Sequence, residues 1–319
     1  MPVVLPTCFE IKLRLIQPDP QDSASEMVVV RDLADAFLWA RYCVAKLAAE
    51  DGNETLEHVK RSLAELTIST MFSGVGTPEH ANLAITEAVG HITGSVQPPH
   101  IPCIWAADWD SERRAELMAV PSESKPRCIF GDVTNFLNPK VKRSIRDGVG
   151  FLTFAQLLRI TMTPGAVVPE GWCYCHNAVC TLSPAAIHVV GPPCVDFSSQ
   201  GSRLGLEGPA ALALLCWLAL RRRLEEPIII LEHVSRFPVG LLSQILGDKY
   251  DIHVGEVGPN TLGWKVQRPR LIITMLHRSK ALLTTASMPW KDMASFCART
   301  VETTWAMFFV ASDAELHAE

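Results

Sequence analysis

The run Ile187-His188-Val189-Val190, followed at once by Gly191-Pro192-Pro193, constrains the fold more tightly than any other stretch of the chain. A short β-branched run reads as a buried strand, and proline, which cannot continue the ladder, ends it sharply. Cys194 therefore stands at the carboxyl edge of a strand, where open α/β sheets keep their ligands. The small polar residues from Asp196 to Gly201 then form a loop. A lone cysteine in such a place is more often a buried structural thiol than a nucleophile, so the rest of the chain must decide.

The remaining segments alternate between strand and helix patterns. Val28 to Glu50 has a helical period, with Leu33, Phe37, Leu38, Val44, Ala45 and Leu47 mainly on one face and Gly52 past its end. A second helix runs from Glu54 to Ala64, and the pair forms a flank or lid on the domain beyond it. The strand Leu66–Phe72 opens into Ser73-Gly74-Val75-Gly76, and a helix continues from Pro78 to Ile92. Strand, Gly-x-Gly and helix let a backbone approach a nucleotide-like ligand closely, although alone the pattern is a tight turn. The strand Ile101–Ala107 ends in Asp108-Trp109-Asp110 before a helix from Ser111 to Met118. An acid at the end of a second strand is where such sheets hold ribose hydroxyls; helix capping is the other use, preferred for Asp110. The strand Arg127–Phe130 ends in Gly131-Asp132.

Residues 135–184 form an insertion of about fifty residues, longer than ordinary loops, which suggests a lid or a functional excursion with one short helix, Phe151 to Ile160. It holds Cys173, Cys175, His176 and Cys180, four soft donors that could bind zinc. Their spacing lacks the usual Cys-x-x-Cys, so they read as a reduced structural cluster and no residue is assigned to a metal. Beyond the Cys194 loop, Gly208-Pro209 start a helix to Arg223. Its Arg221-Arg222-Arg223 end suits the helix dipole as a solvated face. Ile228–Leu231 is a buried strand delivering Glu232-His233-Val234. Phe237–Leu246 is a helix and Tyr250–Val257 a strand, and Arg268-Pro269-Arg270 precede the strand Leu271–Leu276.

At 319 residues, with 48% hydrophobic and 20% charged positions, the chain is globular. A net charge of -5 excludes a global basic field, so any nucleic-acid contact rests on a local patch such as Arg221–Arg223 or Arg268 with Arg270. Ten scattered cysteines without a secretory leader indicate reduced thiols in a nuclear or cytoplasmic protein. The most apolar helix, Ala210 to Leu220, is far shorter than the ~20 residues of a membrane span.

Pro-Pro-Cys followed by Phe-Ser resembles the nucleophile loop of DNA cytosine-C5 methyltransferases. Further pieces occur in that family's order: Phe72-x-Gly74-x-Gly76, Asp108-Trp109, Gly131-Asp132, Glu232-His233-Val234 and Arg268-x-Arg270. The resemblance covers about Leu66 to Leu276. It implies a Rossmann-like S-adenosylmethionine-dependent methyltransferase sheet with flanking helices over 66–280; the helical periods before it give an N-terminal helical extension over 1–65, and a short tail remains over 281–319. It implies S-adenosyl-L-methionine held by Phe72, Gly74, Gly76, Asp108, Trp109, Asp132 and Pro192. Cys194 would be the nucleophile, Glu232 the partner of cytosine N3, Arg270 the grip on the cytosine carbonyl, and Arg268 a support for the loop or a phosphate. The substrate would be a cytosine flipped out of duplex DNA, with RNA open as the alternative. Three departures stand out: Asp108 replaces the more usual Glu, His233 replaces Asn, and Val266 replaces a Gln. Fewer than fifty residues follow Leu276, too few for a target-recognition domain of ordinary size, which leaves a partner protein to supply recognition or a binding-only protein as the other reading.

Overall fold

In the computed structural model, the described residues are 3–4, 28–31, 33–95, 97–148, 152–282 and 290–302. Nine strands build the central sheet: β1 (Ile68–Met71), β2 (Cys103–Ala107), β3 (Ile129–Phe130), β4 (Glu170–Cys173), β5 (Ala178–Thr181), β6 (Ile187–Val190), β7 (Ile228–Val234), β8 (Tyr250–Val257) and β9 (Arg270–His277). Their spatial order is β8-β9-β7-β6-β1-β2-β3-β4-β5. Strands β7, β6, β1, β2 and β3 run parallel, while β9 runs antiparallel to both neighbours. From β1 the chain winds outward through β2 to β3, then returns to the other side of β1 at β6 and winds on to β7. The fold is the expected Rossmann-like α/β sheet with flanking helices, and its topological switch point lies between β1 and β6.

The core follows from strand alternation. Trp105, Ala107 and Phe130 face one side of the sheet, while Ala106 and Ile129 face the other against Leu117. Helix α6 (Ala211–Leu224) covers the first side. Its Leu214, Leu215, Cys216, Trp217 and Leu218 are all buried, so it is apolar around its whole circumference, as a helix enclosed by other elements must be. Helices α5 (Phe154–Thr161) and α7 (Val239–Leu246) pack on it. Trp105 meets Phe130 edge to face at 6.5 Å, an arrangement that adds ~0.5–1.5 kcal/mol beyond area burial.

The described residues of the N-terminal extension are mainly helical, with boundaries that differ from the periodicity. Val29–Val30 pair as a short strand with Thr300–Val301, Leu33–Phe37 form one helical turn, and α1 spans Trp39–Ala64. Gly52, at φ 81°, kinks α1 where the sequence suggested a break between two helices. Ala40, Val44 and Leu56 of α1 pack on Ala88 and Val89 of α2 (Thr77–Ile92), docking the extension on the sheet. The strands and helices around the glycine, acidic and Pro-Cys loops lie within a few residues of their expected limits, α3 (Ser111–Ala119) included.

In the 135–184 segment, expected as a lid or a functional excursion, α4 (Pro139–Asp147) packs on α5 and α5 on α6, and the hairpin β4–β5 extends the sheet itself. Of the Arg221–Arg223 triplet, expected as a solvated face, only Arg223 is exposed. Arg221 is fully buried in an ion pair with Glu226, Arg222 makes a two-pronged contact with Asp248 at 2.8 and 2.9 Å, and Arg223 donates to the Val167 carbonyl. Trp290 of α8 (Trp290–Phe296), in the short tail, packs on Gly255 at the outer strand β8. Among the described residues no helix is long and apolar enough to cross a membrane.

Candidate active site

The candidate side chains gather at the carboxyl edge of the parallel strands: most follow a strand, Glu232 lies near the end of β7, and Arg270 opens the antiparallel β9. At the end of β1 the backbone passes through the left-handed region three times in five residues: Phe72 (φ 56°), Gly74 (φ 57°) and Gly76 (φ 80°). Glycine takes that conformation without penalty, whereas for Phe72 it is strained, and strain of this kind gathers at ligand sites. A Cβ on Gly76 would also meet Val120 at 3.2 Å and Leu117 at 3.4 Å.

Asp108 is buried, and its carboxylate anchors this loop. Oδ2 accepts from the Gly74 amide at 2.9 Å and Oδ1 from the Asp110 amide at 3.0 Å. A carboxylate offers about four lone-pair directions, so acceptor capacity remains for a hydroxyl donor. Asp110 caps α3, accepting from Glu112 and Arg113, in keeping with its expected role. Asp132 caps the 3₁₀ turn Val133–Phe136 through Thr134 at 2.7 Å. Phe72, Asp108, Trp109, Gly131, Asp132 and Pro193 are among the residues lining a cavity of about 60 Å³ at the switch point. Pro193 lines it where Pro192 was expected; Pro192 is buried, and Gly74 and Gly76 are not among the lining residues. Trp109 is 68% exposed at the mouth.

Below the glycine loop lies Glu79, fully buried in the first turn of α2 and not singled out by the sequence. Burial pushes its pKa up, and the Thr70 hydroxyl, which donates to it, offsets this only in part. The native carboxyl thus holds its proton to higher pH than the unfolded one, which ionises near the usual value of about 4.3. Above that value the unfolded state binds fewer protons, so this group makes stability fall as pH rises. Glu79→Gln should remove the slope: its melting temperature, relative to the parent protein, should climb as pH rises above about 5. A difference independent of pH would show that Glu79 is ionised in the fold.

On the other side of the switch point, Gly191-Pro192-Pro193 lead β6 into Cys194. The Cys194 carbonyl accepts from Phe197 at 3.0 Å and Ser198 at 2.8 Å, which winds the residues after it into a turn. Asp196, buried, ties the loop to itself, accepting from Ser202 Oγ at 2.6 Å and the Ala210 amide at 2.9 Å. This anchor was also not singled out by the sequence; an acid between the cysteine and a Ser/Gly-rich run was its only signal.

Glu232 on β7 and Arg270 on β9 lie diagonally across an antiparallel pair, since Glu232 registers with Ile272 and Val234 with Arg270. Arg270 Nε meets Glu232 Oε1 at 2.8 Å. The other carboxylate oxygen lies 3.8 Å from where a Gly191 Cβ would stand, so Glu232 leans over the start of the Cys194 loop. Glu232, Arg270 and that loop are therefore brought together. Arg268 is exposed in the preceding connection and has no contact with Glu232 among those described. His233 points the opposite way, buried between Phe197 at 5.2 Å and Phe237 at 4.4 Å. Burial lowers its pKa to about 4, and the nearby Val234 and Pro193 carbonyls only partly restore it. A neutral imidazole thus supports the Pro-Cys loop from below.

The cysteine-rich segment is arranged differently from its spacing. Cys173, His176 and Cys180 converge with Cys128, just before β3, and their donor atoms all lie within 4.8 Å of one another. Cys175 is outside this group and packs against Ala106, Leu117 and Ile129.

No family profile and no curated protein sequence matches the chain. Among solved structures, a candidate DNA modification methyltransferase encoded within a prophage of E. coli superposes with a TM-score of 0.39 at 15% identity, covering 67% of this chain and 47% of that one. The S. pombe Dnmt2 methyltransferase superposes with 0.39 at 14% identity, over 69% and 53%. Spodoptera frugiperda DNMT2 gives 0.36 at 14% identity, over 69% and 56%. This chain spans about half the length of these proteins, and at such scores its site must be read from its own residues.

Proposed function

We propose that the chain transfers a methyl group to carbon 5 of a cytosine in nucleic acid, through a covalent adduct on Cys194. One observation carries the reading: a carboxylate from β7 and a guanidinium from β9, 2.8 Å apart, meet over the loop that presents a cysteine from β6. Cytosine carbon 5 is a poor nucleophile until something adds to carbon 6. Cys194 Sγ is the adding group, and the electron pair of the C5–C6 double bond is released towards carbon 5. Glu232 holds the proton at ring N3 as negative charge develops, and Arg270 keeps that carboxyl oriented and faces the ring carbonyl. Once carbon 5 is methylated, its proton is lost to a base, the Sγ–C6 bond breaks, and the double bond returns.

The residues at the switch point suit S-adenosylmethionine, with aromatic faces from Phe72 and Trp109 beside the acids Asp108 and Asp132. When bound there, it supplies an electrophilic methyl group. The cavity of about 60 Å³ has room for only part of a nucleoside, and the remainder would lie along the open edge. The small cavity and the two backbone bonds on Asp108 also favour a second reading, a cofactor- or partner-binding protein that methylates nothing. Exposed Arg203, Arg236, Lys265 and Arg268 stand in the connections on the carboxyl edge and provide local positive charge for phosphates in place of the Arg221 triplet.

The test is trapping with 5-fluorocytosine, whose fluorine cannot leave as the proton does. Duplex DNA or RNA carrying it should become covalently attached in the presence of S-adenosylmethionine, and Cys194→Ser should abolish attachment, because a serine hydroxyl is a far poorer nucleophile. No adduct with either nucleic acid, from protein that binds the cofactor, would favour the binding-only reading. An adduct surviving in Cys194→Ser would place the nucleophile elsewhere.

A further inference from the structure

We infer that Cys128, Cys173, His176 and Cys180 form a structural zinc site that locks the β4–β5 hairpin onto the sheet. His176 Nδ1 lies 3.6 Å from Cys128 Sγ, 3.3 Å from Cys173 Sγ and 3.4 Å from Cys180 Sγ. A neutral imidazole nitrogen has one proton or one lone pair, so it cannot make three hydrogen bonds at once. Three sulfurs converging on it are instead the vertices of a polyhedron. With Zn–S near 2.3 Å and Zn–N near 2.0–2.1 Å at tetrahedral angles, the S···N edge is about 3.6 Å. The three distances match that edge, and all four donors fall within 4.8 Å.

The local backbone is built for this. Cys173 ends β4, His176 lies in the hairpin turn and Cys180 is on β5, giving Cys-x-x-His followed by x-x-x-Cys. Asn177 takes a positive φ of 49°, which reverses the chain between the ligands. The fourth ligand comes from the chain entering β3, so its place cannot be seen in the sequence spacing. Hairpin and sheet share one ladder pair, Phe130 with Cys173, and the Tyr174 amide on the Ile129 carbonyl at 2.8 Å, while Gly171 packs on Phe136. Three thiolates and an imidazole leave no open coordination position, which marks a structural rather than a catalytic ion. Soft sulfur donors in a tetrahedral set select zinc over magnesium, calcium or manganese.

The same turn reaches the candidate cofactor cavity. Tyr174 packs 3.4 Å from where a Cβ on Gly131 would stand and lies under the Arg114 guanidinium, whose carbon is 4.3 Å from the ring centroid. Arg114 in turn donates to the carbonyls of Asp108 at 3.0 Å and Trp109 at 2.6 Å. The ion thereby braces one wall of that cavity, through Tyr174 and Arg114.

The experiment is metal analysis of the full chain purified without added metal or chelator, beside the Cys128→Ser, Cys180→Ser and Cys175→Ser variants. About one zinc per chain is expected in the parent and in Cys175→Ser, and its loss in Cys128→Ser and Cys180→Ser. Should those two fail to fold, replacing zinc by cobalt(II) in the parent gives a second readout: intense visible bands of a tetrahedral ion with sulfur-to-metal charge transfer in the near ultraviolet. Folded parent protein without metal, unable to take up cobalt(II) in tetrahedral form, would overturn the site. So would zinc retained in Cys128→Ser but lost in Cys175→Ser, which would return the ligands to the contiguous segment, or a disulfide joining Cys173 and Cys180 in protein kept under reducing conditions.

Discussion

Glu226→Ala should destabilise the protein by ~3–5 kcal/mol, much of the margin of an ordinary domain, while Arg221→Met with Glu226→Leu should recover most of the loss. Both members of this ion pair are wholly buried, Arg221 in the last turn of α6 and Glu226 before β7. The guanidinium carbon lies 5.6 Å from the Trp105 ring centroid, and the Tyr250 hydroxyl donates to the Glu226 carbonyl at 3.0 Å. Removing the carboxylate leaves a cation in a low-dielectric interior, and that uncompensated charge is the source of the cost. Removing both replaces charge by apolar contact of similar volume. Denaturant titration of the parent, the single and the double variant reads the difference as a shift of midpoint. If the single variant loses less than about 1 kcal/mol, water reaches the pair and it is not buried in solution. The pair precedes β7, at the end of the sheet away from Cys194, so the double variant should still form the 5-fluorocytosine adduct.

Glu232→Gln should have the opposite profile. Methyl transfer in a single turnover should fall by about 10²–10⁴-fold, the range for loss of a positioned proton-transfer group. Stability should scarcely change. The Glu232 side chain is 49% exposed, and ion pairs with that much solvent contribute ~0–1 kcal/mol. Gln keeps the shape and can still accept from Arg270, but it cannot hold a shared proton at N3. A variant that melts with the parent yet transfers methyl at the parent rate would remove Glu232 from the proposed chemistry. Equal loss of melting temperature and rate would make its role one of support.

Cys194 and Glu232, both legible in the sequence, share a property: each comes at or just past the end of a run of strongly β-forming residues. Ile187–Val190 and Ile228–Leu231 left little choice of structure, so the positions of Cys194 and Glu232 followed. Glu170-Gly171-Trp172-Cys173 is a weak strand by composition, and pairing with β5 makes it one. Helix α4 carries four basic residues and only Val141 and Ile145 as apolar ones, one turn apart, yet Asn138 as cap and Pro139 after it were a readable start. Arg221 misled because the charge of a residue says nothing about a partner five positions on that turns inward with it. Cys128 joins its cluster only through sheet pairing, which no local spacing encodes.

The stitching of the two chain ends has a consequence in time. Val29–Val30 pair with Thr300–Val301, Arg299 donates to the Asp35 carbonyl across 264 positions, and Lys46 donates to the Phe296 carbonyl across 250. At ~5–20 residues per second of synthesis, Asp35 leaves the ribosome roughly 13–50 s before Arg299. Throughout that interval Val29 and Val30 form an unpaired strand edge, and the part of α1 that Phe296 covers stays open. A cell making this chain must keep those surfaces from pairing with another copy until Thr300 and Val301 arrive.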